Sequence, residues 1–206
     1  MHRVLLTSLK NRVPASVVTI LKIMDPLANL EIIDNFLPPE EFERISEVFT
    51  GQDFPWFVNK AKVMHVARMF DPELQAAEIY NWQMVNYLYG NGQPLSQMYE
   101  YVLPIINLLK PRALIRIKAN LNHHTDSLQE YAFHTDCGEY GSEEFEGATT
   151  AILYLNSNNG YTKFHNGRVD SVANRLVKFP VNTPIAVRLL LTRSTVLSLT
   201  SITFNV

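Results

Sequence analysis

The spacing of hydrophobic positions predicts an amphipathic helix early in the chain. Phe42, Ile45 and Phe49 recur at the intervals of one helical face. Pro38 and Pro39 stand just before these positions, where the first turn of a helix accepts proline. Two glutamates follow the prolines, and acidic side chains favour the positive end of a helix. The segment therefore predicts a helix that begins at the prolines and buries its phenylalanine face.

Other early segments extend this helical region. A short apolar strand is predicted over residues 30–33, ahead of the first helix. Helices are predicted over residues 72–89 and 95–109, the second interrupted by Pro104. The Asn91-Gly92 pair is a breaker, and we expect it to separate these two helices.

After residue 112 the hydrophobic pattern changes to the alternation that is typical of strands. Asn166-Gly167 gives the strongest hairpin signal in the chain. The strand-like segments span residues 113–121, 146–156, 161–172 and 174–180. Helices first and seven or eight short strands afterwards predict an α+β fold, with N-terminal helices packed on a double-stranded β-helix, or jelly roll.

Composition is consistent with one globular domain. The chain has 206 residues, of which 47% are hydrophobic and 18% charged, enough to bury a core of ordinary size. A net charge of −2 gives no electrostatic reason to expect nucleic acid or an anionic membrane as a partner. The single cysteine, Cys137, excludes an internal disulfide and favours a reducing, cytoplasmic location. Oligomeric state is not indicated by the sequence.

Residues 1–24 differ in composition from residues 25–206, which we expect to form the single domain. They carry basic residues and no acidic ones, and their apolar run is too short to span a bilayer. No clear small-residue cleavage site follows, which argues against a targeting segment. We favour a surface helix or strand, or an upstream extension that precedes a natural start at Met24.

His134 and Asp136 form a His-x-Asp pair in an extended segment. Side chains two residues apart on a strand point to the same side, so both can reach one metal ion. Two histidines and one carboxylate on one face of an octahedron suit ferrous iron and leave positions open. An isolated pair of this kind is more often a hydrogen-bonded His–Asp couple, and that alternative stays open here.

Three other histidines and the cysteine are alternative candidate ligands. His123 and His124 fall in the loop before the pair, where we expect them to face solvent. His165 adjoins the Asn-Gly turn and should point outward. Cys137 follows Asp136 directly, and a small structural residue is the favoured interpretation.

Four segments, taken in order, resemble the 2-oxoglutarate- and Fe(II)-dependent dioxygenase superfamily, in particular its prolyl-4-hydroxylase-like branch. They read IIDNFLPPEEF, FHTD, AILYLN and NGYTKFHNGRVDSVANRLVKFP, and together cover most of residues 30–184. The resemblance implies a jelly-roll oxidoreductase that uses Fe(II), 2-oxoglutarate and O₂, and it admits ascorbate. The implied reaction is hydroxylation of a small molecule or a protein side chain.

The resemblance also assigns residues. It implies that His134 and Asp136 are iron ligands and that the hydroxyl of Tyr154 meets a carboxylate of 2-oxoglutarate; a core tyrosine is the equal alternative. Phe164 would lie in the core, and Arg175 would make a structural salt bridge rather than touch substrate.

The family pattern stops at residue 185. The family has a histidine there and an Arg or Lys about ten residues later, whereas this chain has Ile185 and no histidine after it. If the tail is read one nucleotide earlier, each new codon ends with the first two bases of the present one. An Ile codon then permits histidine at position 185, and a Val codon permits arginine at position 196.

We therefore hypothesise a frameshift that replaced the tail from about residue 185; a divergent tail is the alternative. The present tail is rich in β-forming residues and could keep the fold while iron and 2-oxoglutarate binding are lost. The chain would then be an impaired oxygenase or, alternatively, a catalytically inactive jelly-roll module for binding or structure. A metal-binding jelly roll of the cupin kind is a weaker alternative, since cupins place more histidines close together than this chain does.

Overall fold

The computed structural model describes residues 30–60, 82–124, 129–130, 133–136, 145–189 and 196–205. The helices in this part are α1 (Pro39–Thr50), a 3-10 helix (Gln97–Val102) and α2 (Leu103–Leu109). The strands are β1 (Glu31–Ile33), β2 (Phe57–Asn59), β3 (Gln83–Gly90), β4 (Gln93–Pro94), β5 (Ala113–Asn122), β6 (Gln129–Glu130), β7 (Ala148–Tyr154), β8 (Tyr161–Phe164), β9 (Gly167–Asp170), β10 (Leu176–Pro180), β11 (Ala186–Leu189) and β12 (Val196–Asn205).

The strands form two antiparallel sheets. The large sheet has eight strands in the order β1-β10-β7-β12-β5-β3-β2, with β4 paired to β3. The small sheet has the order β6-β11-β8-β9. The last strand of the chain, β12, lies between β5 and β7 in the middle of the large sheet, so the C-terminal segment joins its two halves.

Helix α1 begins where the sequence predicts, with Pro39 in its first turn and two glutamates behind it. Its buried residues, Ile45 and Phe49, belong to an apolar cluster that also contains Ile117 of β5 and Leu153 of β7. Burial of side chains of this size contributes about 1.5–3 kcal/mol each. The periodicity of the helix is therefore matched by a contact with one face of the large sheet.

The opposite face of the large sheet carries a second apolar cluster. Ile152 of β7 and Phe179 of β10 pack there with Phe164 of β8 and with Ile185. Neighbouring residues of a strand point to opposite faces, which explains why Ile152 and Leu153 belong to different clusters. This second cluster lies between the two sheets, and it places Phe164 in the core as expected.

The predicted helix over 72–89 is wrong where it can be compared. Residues 83–90 form β3, which pairs with β2 and β5, and residues 72–81 lie outside the described part. Pairing with two neighbouring strands outweighs the helical spacing, since propensity yields to tertiary context. Asn91 and Gly92 have φ angles of 52° and 76°, so they form a tight hairpin turn between β3 and β4.

The predicted helix over 95–109 is confirmed in two pieces. The 3-10 helix is capped by Ser96, whose Oγ accepts from the Met98 backbone N–H at 3.2 Å. Helix α2 follows directly, with Pro104 in its first turn rather than in its interior. The hairpin at Asn166-Gly167, which joins β8 and β9, is also confirmed.

Polar contacts tie the turn at Asp34–Leu37 to the chain before β10. Arg175 donates to both carboxylate oxygens of Asp34, at 2.6 and 3.0 Å, so it makes the structural salt bridge that was expected. That hydrogen bond lowers the pKa of Asp34. The side-chain amide of Asn174 accepts from the Leu37 backbone N–H and donates to the Leu37 carbonyl. These contacts hold the turn after β1, the edge strand of the large sheet, against the chain that leads into β10.

In the described part of the chain, none of the helices has the length and apolar character that crossing a bilayer requires.

Candidate metal centre

His134 lies directly across from Ile185. The two residues form an isolated antiparallel bridge in which each backbone N–H donates to the other's carbonyl, both at 2.8 Å. Ile185 immediately precedes β11, so this bridge continues the small sheet beyond that strand. Residues that face each other in this way project their side chains from the same face of the sheet.

Asp136 lies two residues further on, and its side chain is only 4% exposed. The Arg116 guanidinium donates to its backbone carbonyl and stands 3.8 Å from Oδ1. The other oxygen, Oδ2, is buried and has no hydrogen-bond partner among the described residues. A buried carboxylate oxygen normally has a partner, so an orphaned one two residues along the chain from a histidine fits a metal ligand.

Ile185, at the position that the family resemblance gives to a histidine, does not fit a metal ligand. Ile185 is 1% exposed and belongs to the apolar cluster between the sheets, where it offers no donor atom. No group of three or more His, Cys, Asp or Glu side chains comes together within the part of the chain that the structure describes. Across the bridge from His134, the position that the family resemblance gives to a histidine therefore holds a hydrocarbon side chain.

The alternative ligands lie elsewhere or cannot be compared. His165 is exposed at the hairpin and stacks on Phe133 with ring centroids 4.3 Å apart. We expected His123 to face solvent, but its ring stacks on Trp82 with centroids 4.1 Å apart, so the indole covers it. His124 is exposed as expected. Cys137 lies outside the described residues.

Tyr154 lies at the end of β7 and is 2% exposed. Its hydroxyl and the hydroxyl of Thr162 are 2.8 Å apart, within a hydrogen bond. Burial raises the pKa of Tyr154 to about 12, and the bond to Thr162 opposes that rise only in part. The phenol is therefore neutral near pH 7, and it can donate one hydrogen bond.

A cavity of about 420 Å³ opens beside Asp136. Its lining comes from β3, β5 and the segments around Leu95 and Phe145, with Arg116 and Asp136 as its charged groups. Ile117 of β5 faces the helix-side cluster, so the alternation of the strand turns Arg116 toward the other face, where Asp136 lies.

Sequence reasoning missed Arg116 as a member of this site. The alternation of ALIRIKANL predicts a strand, and the strand contains one signal of the site: Arg116, because a basic residue on the inward-facing side of a strand needs an acidic partner. The partner could not be named, because Arg116 and Asp136 meet only through the packing of β5 against the His-x-Asp segment.

No protein-family profile matches the chain, and no curated protein does. Solved structures do match. A 2OG-Fe(II) oxygenase-family oxidoreductase from Burkholderia pseudomallei aligns with a TM-score of 0.58 and 11% identity, over 86% of this chain and 85% of its own. The epimerase SnoN from nogalamycin biosynthesis, described as non-heme and alpha-ketoglutarate-dependent, has a TM-score of 0.57 and 13% identity, over 92% and 83%.

A prolyl hydroxylase from Trichoplax adhaerens, solved with a peptide fragment of hypoxia inducible factor, has a TM-score of 0.54 and 12% identity, over 95% of this chain and 94% of its own. The chain thus shares its fold with prolyl hydroxylases and other 2-oxoglutarate/Fe(II) oxygenases, as the sequence resemblance implied.

Proposed function

We propose that this chain derives from an Fe(II)- and 2-oxoglutarate-dependent oxygenase of the hydroxylase type, and that it carries two of the three protein ligands of the iron site. The observation that carries the proposal is the bridge between His134 and Ile185. It sets the position where the family resemblance places a histidine directly beside the candidate ligand His134.

The geometry supports His134 and Asp136 as the two ligands. In a bridge that exchanges both hydrogen bonds, the Cα atoms are about 5.5 Å apart and the side chains share a face. A histidine at position 185 would therefore stand beside His134, with Asp136 two residues along. Asp136 would offer Oδ2, the oxygen without a hydrogen-bond partner among the described residues. When bound, the iron would supply the chemistry by which O₂ oxidises a C–H bond, with 2-oxoglutarate as the co-reductant.

Tyr154 is the proposed partner of a 2-oxoglutarate carboxylate. Because burial keeps the phenol protonated, it would bind the carboxylate as a neutral hydrogen-bond donor rather than repel it as a phenolate. Thr162 holds the hydroxyl at present. The cation expected for the far carboxylate is absent at position 196, where Val196 pairs with Asn122 across β12 and β5. Cosubstrate binding by the chain as written is therefore weakened.

The substrate is proposed to be a small molecule or a protein side chain. Of the structural neighbours, one was solved with a peptide fragment and one comes from nogalamycin biosynthesis. O₂ is the co-reactant, and ascorbate is admitted as an auxiliary reductant. The N-terminal helices would support the jelly roll from outside the large sheet, as the contacts of α1 indicate.

Ile185→His tests the metal site. We expect the variant to bind Mn²⁺ at least tenfold more tightly than the wild type, a change of about 1.4 kcal/mol or more, because it adds a third ligand beside His134. The measurement is the free Mn²⁺ signal by electron paramagnetic resonance during titration under anaerobic conditions.

The matched control is the double variant Ile185→His with His134→Ala, which should lose the gain because it again has only two ligands. An Ile185→His protein that folds but binds Mn²⁺ no better than the wild type would contradict the proposed site. So would a gain that survives His134→Ala.

A second candidate function is a catalytically inactive jelly-roll module for binding or structure. The close burial of Ile185 favours it, because the third ligand position is filled by packed hydrocarbon. Succinate formation from 2-oxoglutarate with added Fe²⁺ separates the candidates. We expect the wild-type chain to form little or none, and the combination of Ile185→His with Val196→Arg to form it if the chain derives from an oxygenase.

A further inference from the structure

Two buried amide oxygens of β5 have no hydrogen-bond partner among the described residues. They are the Oδ1 atoms of Asn120 and Asn122, and each of these residues is only 4% exposed. Buried amide oxygens in native proteins nearly always accept a hydrogen bond, and one that is left without a donor is destabilising. A donor is therefore missing from this part of the large sheet.

The alternation of β5 turns both asparagines toward the space between the sheets. Ile117 and Ala119 belong to the helix-side cluster, so the two asparagines point to the opposite face. Tyr154 belongs to the cluster on that opposite face. Asn120 and Tyr154 each pair with Ser198 of β12, so they lie in one row across the sheet. The unpartnered oxygens therefore share a face with the tyrosine that we propose for 2-oxoglutarate.

Position 196 is the cross-strand neighbour of these oxygens. Val196 pairs directly with Asn122, and Asn120 is its diagonal neighbour. Directly opposed residues share a face, and a long side chain also reaches the diagonal position. Valine has no donor to offer, whereas the one-nucleotide shift permits arginine here, whose guanidinium carries five N–H donors. The residue that the shifted frame permits is thus of the kind that the two oxygens lack.

We infer that Asn122, with Asn120 as a second acceptor, is the positioning residue for an arginine at position 196, and that both oxygens lack a partner because that arginine was replaced. The inference rests on the proposed function, since this arginine is the cation expected for the far carboxylate of 2-oxoglutarate. Hydrogen bonds to the two amides would fix the plane of the guanidinium, whose remaining N–H groups match a carboxylate. The asparagines would act on the cosubstrate only through the arginine.

Asn122→Leu tests the inference through stability, without metal or cosubstrate. Leucine is close to asparagine in size but has no amide oxygen. In the wild type, the substitution should leave the equilibrium constant of unfolding unchanged or lower it, because it removes a buried acceptor that has no donor. In Val196→Arg it should raise that constant about tenfold or more, because the acceptor of a charged donor is lost. Urea unfolding of the four proteins measures both effects.

Val196→Met is the matched control, because methionine gives position 196 a long unbranched side chain without a donor. Asn122→Leu should have the same effect on stability in Val196→Met as in the wild type. Val196→Gln supplies a neutral donor and keeps the test decisive if the arginine variant does not fold. In that background Asn122→Leu should raise the equilibrium constant of unfolding about threefold, the scale of one neutral hydrogen bond.

Glutarate binding separates a positioning role from direct contact with the anion. Glutarate has two carboxylates but no keto group, so it reports carboxylate binding in the absence of metal. We expect Val196→Arg to bind ¹³C-labelled glutarate about fivefold more tightly than the wild type in a nuclear magnetic resonance titration, the scale of one ion pair. Asn122→Leu should remove most of that gain, and in the wild type it should leave the affinity unchanged.

Equal effects of Asn122→Leu on the stability of the wild type and of Val196→Arg would overturn the inference. So would weaker glutarate binding on Asn122→Leu in the wild type, since Asn122 would then contact the anion itself. A difference in stability without any gain in glutarate affinity would support Asn122 as the positioning residue and reject position 196 as the cosubstrate site. The Mn²⁺ titration of Ile185→His does not involve Asn122, so it tests the metal site separately.

Discussion

Tyr154 is a core side chain whose burial also sets its protonation state. It belongs to the apolar cluster between the sheets, and its hydroxyl bonds to Thr162 at 2.8 Å. Burial raises its pKa to about 12, from an ordinary value of 10.0. The same burial that stabilises the ring thus fixes the protonation state that carboxylate binding would need.

The raised pKa of Tyr154 predicts a loss of stability in alkali. The unfolded chain releases the phenol proton near pH 10 and the folded chain near pH 12, so the stabilisation is complete below pH 10 and is lost as the pH rises toward 12. Between pH 9 and pH 11 the free energy of unfolding of the wild type should fall by about 1.4 kcal/mol more than that of Tyr154→Phe.

Urea unfolding of both proteins at the two pH values measures this difference, and the other tyrosines cancel because both chains contain them. Tyr87→Phe, which removes a half-exposed hydroxyl, is the control. An equal fall in the wild type and in Tyr154→Phe would show that Tyr154 ionises alike in the folded and unfolded chains.

At the scale of elements, Asn174 joins the chain before β10 to the turn after β1. Its φ of 61° lies in the left-handed region, and its amide binds both the N–H and the carbonyl of Leu37, at 2.9 and 2.8 Å. Asparagine tolerates this backbone conformation better than alanine does. The residue thus combines a turn conformation with two buried hydrogen bonds.

Two substitutions separate these contributions. Asn174→Ala should reduce the free energy of unfolding by about 2–4 kcal/mol, because it loses the hydrogen bonds and strains the backbone. Asn174→Gly should be about 1 kcal/mol less destabilising than alanine, because glycine adopts the left-handed conformation freely. Chemical denaturation measures both. If alanine and glycine are equally destabilising, the backbone conformation at residue 174 is not a source of strain.

The elements differ in how far sequence could predict them. Helix α1 and the Asn166-Gly167 hairpin were predictable because their signals are local: prolines and glutamates at a helix start, and an Asn-Gly turn between strands. Strand β3 was not, because its conformation is decided by pairing with β5, far along the chain. The candidate site divides in the same way. The His-x-Asp spacing is local, whereas the approach of Arg116 to Asp136 depends on packing.

At the scale of the whole molecule, the fold and the metal chemistry depend on different properties of the tail. Strand β12 pairs with β5 and β7 through the middle of the large sheet, with bulges near Thr200. Backbone pairing needs only β-forming residues, which this tail has. Iron binding needs a particular side chain at position 185 and cosubstrate binding one at position 196, and those are the positions where the one-nucleotide shift permits histidine and arginine. We therefore propose that a frameshift kept the sheet and removed the site.

Restoring the two side chains in steps tests this separation. We expect Ile185→His alone to gain Mn²⁺ affinity but to show no visible charge-transfer band with Fe²⁺ and 2-oxoglutarate, because the far carboxylate still lacks a cation. Ile185→His with Val196→Arg should show the weak band of a chelated iron centre under anaerobic conditions, and should form succinate when O₂ is admitted.

The double variant with Val196→Gln in place of arginine is the control, since it keeps a long polar side chain without the charge and should lose the band. If the arginine variant folds but gives neither band nor succinate, position 196 is not the cosubstrate site, and the frameshift loses its structural support. The gene provides an independent check: a one-base insertion or deletion near codon 184 must restore histidine at position 185 and arginine at position 196 together, because a divergent tail would have no reason to encode both in one shifted frame.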